Sequence, residues 1–303
     1  MIRTLQKWGE FVKISHTVFA LPFALASMAI AARETRGWPG LSKFLLILAA
    51  MFCARSCAMS FNRIVDRRYD AANPRTALRH LPTGQISMAS AVTLCFLSGA
   101  GLVAASYFLN PICFYLSPVA LVIICFYSLT KRFTKFTHVW LGIALGLAPV
   151  GSWLAVEGRL SFWPIYGPDS GLIPILLAIS VVFWLIGFDI IYAWQDHEFD
   201  KRMGLHSLVV AWGPKNALAA AFLSHMLMWG LLVVFGLLCR FRVAYFTGLI
   251  FILCCLLLEH WLASRRSMKW AGVAFFKLNA LISVVFLAVT VAEIVFPNFR
   301  MMR

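Results

Sequence analysis

The sequence predicts an all-α integral membrane protein: one polytopic domain over residues 1–303 with about nine transmembrane helices. Three observations carry that prediction. Hydrophobic residues make up 61% of the chain and charged residues only 13%, whereas soluble domains carry about 25% charged residues. Mean hydropathy is +0.83. Apolar runs close to the ~20 residues that a helix needs to cross a bilayer recur along the whole length, and no hydrophilic stretch between them is long enough to fold alone.

The expected spans, in order, are 11–32, 41–61, 88–109, 112–129, 138–157, 172–195, 216–238, 243–263 and 277–296. The first follows Arg3 and Lys7 as a secretory leader would. It is long enough to span, however, and Lys13 and His16 interrupt it where a leader has a clean apolar core, so it is expected to remain as the first helix. The third and fourth spans are joined by Asn110-Pro111, a tight link in which proline takes the first turn of the next helix.

The formal net charge is +15. The Lys and Arg residues are scattered over many short loops instead of gathered on one face, which argues against nucleic acid as a partner. Eighteen of them fall at the N-terminus and in the even-numbered loops, eight fall on the opposite side, and Arg55 lies inside a span. This bias places the N-terminus in the cytoplasm. The eight cysteines sit in apolar runs without a Cys-x-x-Cys pair and read as small hydrophobes.

Only 12 residues are acidic, yet two matched acidic clusters occur where apolar runs end: Asn62-x3-Asp66-x3-Asp70 and Tyr192-x3-Asp196-x3-Asp200. Steps of four put each set along one side of a helix. Arg55 and Met59 extend the first stripe, and Asp189 extends the second. Four spans separate the clusters, so both face the cytoplasm, where they can meet over one pocket. Each runs into a polar loop with Gly, Leu81-Pro-Thr-Gly84-Gln-Ile-Ser87 and Gly204-Leu-His-Ser207, a weak internal repeat. A single cluster reads equally well as interfacial caps or salt bridges; two with matched spacing point to paired divalent-metal sites and a phosphorylated substrate. Carboxylates hold Mg²⁺, which bridges phosphate oxygens, and Lys or Arg stabilises a departing diphosphate. Arg67, Arg75, Arg79, Lys131, Lys201 and Arg202 stand in the same loops.

Asn62-x3-Asp66-x3-Asp70, followed by Arg75-Thr76-x2-Arg79-x-Leu81-Pro82-x-Gly84, resembles the first signature of the UbiA superfamily of intramembrane prenyltransferases. Tyr127-Ser-Leu-Thr-Lys131 is similar to its Tyr-x3-Lys element, and Tyr192-x3-Asp196-x3-Asp200 to its second acidic motif. The resemblance implies nine helices bundled around a central cavity. It also implies Mg²⁺ on Asn62, Asp66, Asp70, Asp196 and Asp200, with Asp66 and Asp196 central to catalysis. Arg79 and Lys131 would contact the diphosphate of a polyprenyl donor, Arg75 and Tyr192 would join the substrate site, and Tyr127 would sit by the reacting allylic carbon. Phe and Trp residues would either line the tail tunnel or pack elsewhere. One position departs from the pattern: Arg63 stands where the family commonly has Asp.

The expected reaction is transfer of the polyprenyl group to a ring carbon of an aromatic acid such as 4-hydroxybenzoate, in quinone biosynthesis. A futalosine-type or naphthoate menaquinone precursor, or a haem or chlorophyllide acceptor, fits the same chemistry. A carboxylated acceptor needs a cation, and either Arg55 or the pair Lys13 and His16 meets that need; both sets could instead pair with acidic neighbours. The expected location is the bacterial inner (plasma) membrane with the site loops cytoplasmic, and no obligate protein partner is implied. A transporter is the alternative of another class. It is disfavoured because transporters bind near the membrane midplane on broken helices, whereas these stripes end their helices.

Overall fold

The computed structural model describes residues 2–163, 167, 169–265 and 268–296. Arg266, Arg300 and Arg303 of the charge count lie outside them. The elements are α1 (Ile2–Phe11), α2 (Thr17–Ala31), α3 (Leu41–Val65), α4 (Arg67–Ala72), α5 (Met88–Leu109), α6 (Pro111–Thr130), α7 (Thr137–Glu157), α8 (Leu172–Ala193), α9 (His197–Arg202), α10 (Leu208–Leu238), α11 (Val243–Ser264) and α12 (Met268–Val295). Among the described residues, nine segments are long and apolar enough to cross a membrane.

Most spans lie close to their expected places, with three differences. The first run is not one helix. Lys13 takes a left-handed backbone (φ 53°), a 3₁₀ turn covers Ile14–His16, and the spanning helix proper begins at Thr17. A left-handed residue cannot continue a right-handed helix. The seventh and ninth spans start earlier, at Leu208 and Met268, and the seventh kinks at Gly213-Pro214, where Gly213 has φ 76°. Finally, neither acidic stripe lies on one continuous helix, because Asp66 and Asp196 each sit at a break between two helices.

Lipid tails are as apolar as leucine, so close packing and interhelical hydrogen bonds hold such a bundle, with little help from hydrophobicity. Helix α8 lies between α7 and α10. Gly142 and Gly146 let α7 approach it: a Cβ there would stand 2.9 Å from the Val182 carbonyl oxygen and 3.1 Å from that of Ala178. Phe23 of α2 stacks on Phe286 of α12 (4.9 Å between centroids) and touches Trp184 of α8 (5.1 Å). The indole N–H of Trp184 donates to Asn279 Oδ1 at 2.8 Å. At the α5–α6 link, Asn110 accepts from the Cys113 N–H at 2.9 Å, capping the helix that Pro111 begins.

Between α2, α3, α5, α6 and α7 lies a cavity of about 270 Å³. Small side chains on facing helices leave this room: Ala50, Ala54 and Ala58 on α3, Ala120 on α6, and Ala144 and Ala148 on α7. No Phe or Trp is among its lining residues. Many aromatics fill the core around Trp184, and others face outward, as Phe96 and Phe108 do. Of the two readings open to the Phe and Trp residues, packing elsewhere holds for this cavity, where large rings would occupy the space that alanine leaves open.

Candidate active site

The two acidic motifs are built alike. Asp66 ends α3 and precedes the six-residue α4; Asp196 ends a 3₁₀ turn after α8 and precedes the six-residue α9. After each short helix comes a left-handed glycine, Gly84 (φ 74°) or Gly204 (φ 67°). Each segment then closes on a serine cap: Ser87 accepts from the Ser90 N–H, and Ser207 from the Val210 N–H. Such caps satisfy amide groups that a helix start leaves unpaired.

These segments meet the α6–α7 loop at one end of the bundle. The His206 N–H donates to the Lys131 carbonyl at 2.7 Å. Buried Asp66 receives Lys131 Nζ at 2.6 Å, Arg132 Nη2 at 3.2 Å and Asn62 Nδ2 at 3.2 Å. Buried Asp70 receives Arg79 Nη1 at 2.6 Å. Asp196 accepts from Asn73 Nδ2 at 3.1 Å and from Arg75 Nε at 2.7 Å, and Arg75 Nη2 also contacts it. Arg75 Nη1 donates to Tyr192 Oη at 2.8 Å. Asp200 is half-buried within electrostatic reach of Asp196, Lys131 and Arg75. Asp189 is engaged elsewhere, with His138 Nδ1 at 2.7 Å.

The charges of this layer are set by their neighbours. Burial works against the Arg75 guanidinium, but its hydrogen bond to Asp196 and the nearby Tyr192 outweigh that and hold its pKa above the ordinary arginine value. The Lys13 ammonium titrates below the usual lysine range, through desolvation first and then the positive charges of Arg63, Arg79 and Arg75.

Beneath the layer, Arg55, His16 and Tyr127 line the cavity. Arg55 Nε is buried without a hydrogen-bond partner. Tyr127 lies within electrostatic reach of both Arg55 and Asp66. The pair Lys13 and His16 is divided: the break at Lys13 leaves His16 in the cavity and turns Lys13 toward the arginines of the layer. Sequence reasoning missed Asn73, Arg132 and Tyr69, whose ring lies under Lys131 and Arg132 at 5.8 and 5.6 Å. Adjacency to the motifs was their only signal.

As they stand, Asp66, Asp70 and Asp196 each face a cationic side chain, which relieves the repulsion of clustered carboxylates. Among the described residues no three His, Cys, Asp or Glu side chains are grouped closely enough to hold a metal. The donor set nevertheless fits a hard divalent cation, being all oxygen. Asp70 Oδ2 is buried without a hydrogen-bond partner, an acceptor that such a cation would satisfy.

The UbiA prenyltransferase family model matches residues 20–281. A 4-hydroxybenzoate octaprenyltransferase of Tolumonas auensis is 28% identical over 258 residues, covering 84% of this chain and 86% of that protein. Another, from Polynucleobacter asymbioticus, is 32% identical over 191 residues, 61% of each. The apo structure of a UbiA homolog from Aeropyrum pernix K1 has a TM-score of 0.79 at 29% identity, covering 92% of this chain and 98% of its own. A UbiA homolog from Archaeoglobus fulgidus, bound to GPP and Mg²⁺, shares the fold with a TM-score of 0.69 at 22% identity, over 94% and 99%.

Proposed function

The chain belongs to the UbiA prenyltransferase family, and on that premise we propose that it transfers a polyprenyl group from its diphosphate to a ring carbon of an aromatic carboxylic acid, 4-hydroxybenzoate being the acceptor, in quinone biosynthesis. One observation carries this reading. An apolar cavity lined by Arg55, whose Nε is buried without a hydrogen-bond partner, lies under a layer of carboxylates and cations. The cavity suits an isoprenoid tail, Arg55 suits a carboxylate, and the layer suits a diphosphate. The relatives named for 4-hydroxybenzoate support the acceptor assignment.

Asn62, Asp66, Asp70, Asp196 and Asp200 would hold Mg²⁺, which when bound supplies positive charge against the phosphate oxygens. The chain's own cations do the rest. Arg79 and Lys131 bind diphosphate oxygens, and Arg75 orders the layer by tying Tyr192 to Asp196. The allylic C–O bond breaks and its electron pair leaves on the diphosphate, where this fixed positive field stabilises it without reorganising. Tyr127 faces the allylic carbon. Arg55 orients the acceptor so that a ring carbon donates the pair for the new C–C bond, and loss of its proton restores aromaticity. The apolar walls keep water from the cation meanwhile. The site loops and N-terminus lie on the cytoplasmic side of a bacterial inner membrane, consistent with the bias of Lys and Arg.

The test is to incubate membranes containing the protein with a polyprenyl diphosphate, Mg²⁺ and a panel of aromatic acids, including naphthoates, with and without EDTA. Prenylated 4-hydroxybenzoate, lost on chelation, is the expected product by mass. A product from another acid alone would move the acceptor, and no prenylated product at all would overturn the reading.

A further inference from the structure

Arg63 has no part in the reading so far, yet its surroundings are unusual for a buried cation. It is 4% exposed. Its carboxylate contact is Asp70 Oδ2 at 3.9 Å from Nη1, too long for a hydrogen bond. Asp70 Oδ2 is itself buried without a partner, while the other oxygen of Asp70 is taken by Arg79 at 2.6 Å. A guanidinium carries five N–H donors, and burying one unpaired is strongly unfavourable. A purely structural ion pair would close this gap. Here a buried guanidinium, held 3.9 Å from its carboxylate, faces an oxygen that has no hydrogen-bond partner, leaving room for an anion on one side and a cation on the other.

The charge immediately around Arg63 points the same way. Arg63 has the positive Arg79 and Lys13 within electrostatic reach, along with the phenols of Tyr127 and Tyr192. The anion is a phosphate, not the acceptor's carboxylate, on grounds of position. Arg63 is absent from the cavity lining that includes Arg55, and eight residues of helix set the two ~12 Å apart along α3.

We infer that Arg63 is a direct ligand of the diphosphate, a buried guanidinium that holds phosphate oxygens through charge-assisted hydrogen bonds and retains part of that hold when divalent metal is withdrawn. This rests on the proposed function, and the test separates the two. Binding of inorganic pyrophosphate to the purified full-length protein in nanodiscs is measured by calorimetry, in Mg²⁺ and in EDTA. Wild type is expected to bind in both, more weakly in EDTA. Arg63→Gln is expected to weaken binding about 10–100-fold in both, as loss of hydrogen bonds to a charged group predicts. Arg63→Lys, which keeps the charge but loses the planar fork, should recover part of it; it also serves as the folded variant if Arg63→Gln does not accumulate. In turnover, KM for the donor should rise and KM for the acceptor should not. A folded Arg63→Gln that binds pyrophosphate like wild type, or that raises only the acceptor KM, overturns the assignment and leaves the proposed function standing. A wild type that ignores pyrophosphate even with Mg²⁺ overturns both.

Discussion

Arg75 grips Asp196 across 121 positions of sequence, with Nε on Oδ1 at 2.7 Å and a parallel contact from Nη2 to Oδ2. Through this fork the loop after the first acidic motif is fastened to the centre of the second, and the same guanidinium reaches Tyr192 Oη at 2.8 Å. The pair is partly solvated, with side-chain exposures of 33% and 16%, so its contribution to stability falls near the ~0–1 kcal/mol typical of exposed ion pairs. Arg75→Ala should therefore lower kcat/KM for the donor about 10–100-fold, the range for a charged hydrogen bond, with little change in melting temperature. A large stability loss with normal turnover would reverse that assignment.

Asp66→Asn and Asp196→Asn keep the shape of the side chain and remove its charge. Each is expected to depress turnover by about 10²–10³-fold, as for other preorganised electrostatic groups. The protein should stay folded in membranes, because the partners Lys131 and Arg132 of Asp66 and Arg75 of Asp196 are about a third exposed and water can replace the lost carboxylate. Near-normal product formation by either variant, followed by mass, would defeat the assignment.

The legible parts of this molecule were those written as positive signals. Apolar runs marked α5 and α6 almost to the residue, and the matched spacing of Asp66 with Asp70 and of Asp196 with Asp200 marked the layer. The breaks at Asp66 and Asp196 were not legible, since steps of four suit an unbroken helix equally well. Lys13 read as an interruption in the apolar run, but a helix break there shows only in its left-handed backbone. The cavity was hidden for a different reason. Its room comes from alanines on facing helices, and missing bulk becomes a pocket only once the helices are packed. Arg63 read as a departure from a motif, whereas burial shows it facing into the same layer as Asp70.

Arg55→Met separates stability from function. A guanidinium within a span opposes insertion by about 2.5–3.5 kcal/mol, and its Nε is left unpartnered, so the methionine variant should melt higher than wild type. The same change should raise KM for a carboxylated acceptor about 10–100-fold while donor binding is unaltered. Parallel assays with 4-hydroxybenzoate and the corresponding phenol check this: wild type should discriminate strongly between them and the variant weakly.

Lys13 supplies a pH dependence. Its pKa is lowered by desolvation and by Arg63, Arg79 and Arg75, so its ammonium is lost before the ~10.4 of an ordinary lysine. Pyrophosphate affinity should fall as pH climbs through the lowered value. Lys13→Arg, charged throughout, should remove that alkaline limb. Stability should run in the opposite sense. Between the lowered pKa and ~10.4 the unfolded chain binds more protons than the folded one, so folding becomes more favourable as pH rises. Calorimetric titrations at several alkaline pH values would show an unchanged limb in Lys13→Arg if another group were responsible.

Gly187 tests the packing that carries the second motif. A Cβ added there would stand 2.3 Å from the His225 ring and 2.9 Å from the Ala221 carbonyl oxygen. The ring has little freedom to move away: it is fully buried, 2.9 Å from His260 Nε2 and 3.2 Å from the Trp184 carbonyl. Gly187→Ala should therefore push α8 from α10 and lower stability by about 1–3 kcal/mol, the usual result of overpacking. Because α8 ends beside Tyr192 and Asp196, turnover should drop with it. His225→Ala removes the obstructing ring, so the double variant should lose less than the sum of the two single losses, a coupling that a double-mutant cycle of thermal unfolding measures directly. Strictly additive losses would mean that the contact between α8 and α10 is not what the glycine preserves.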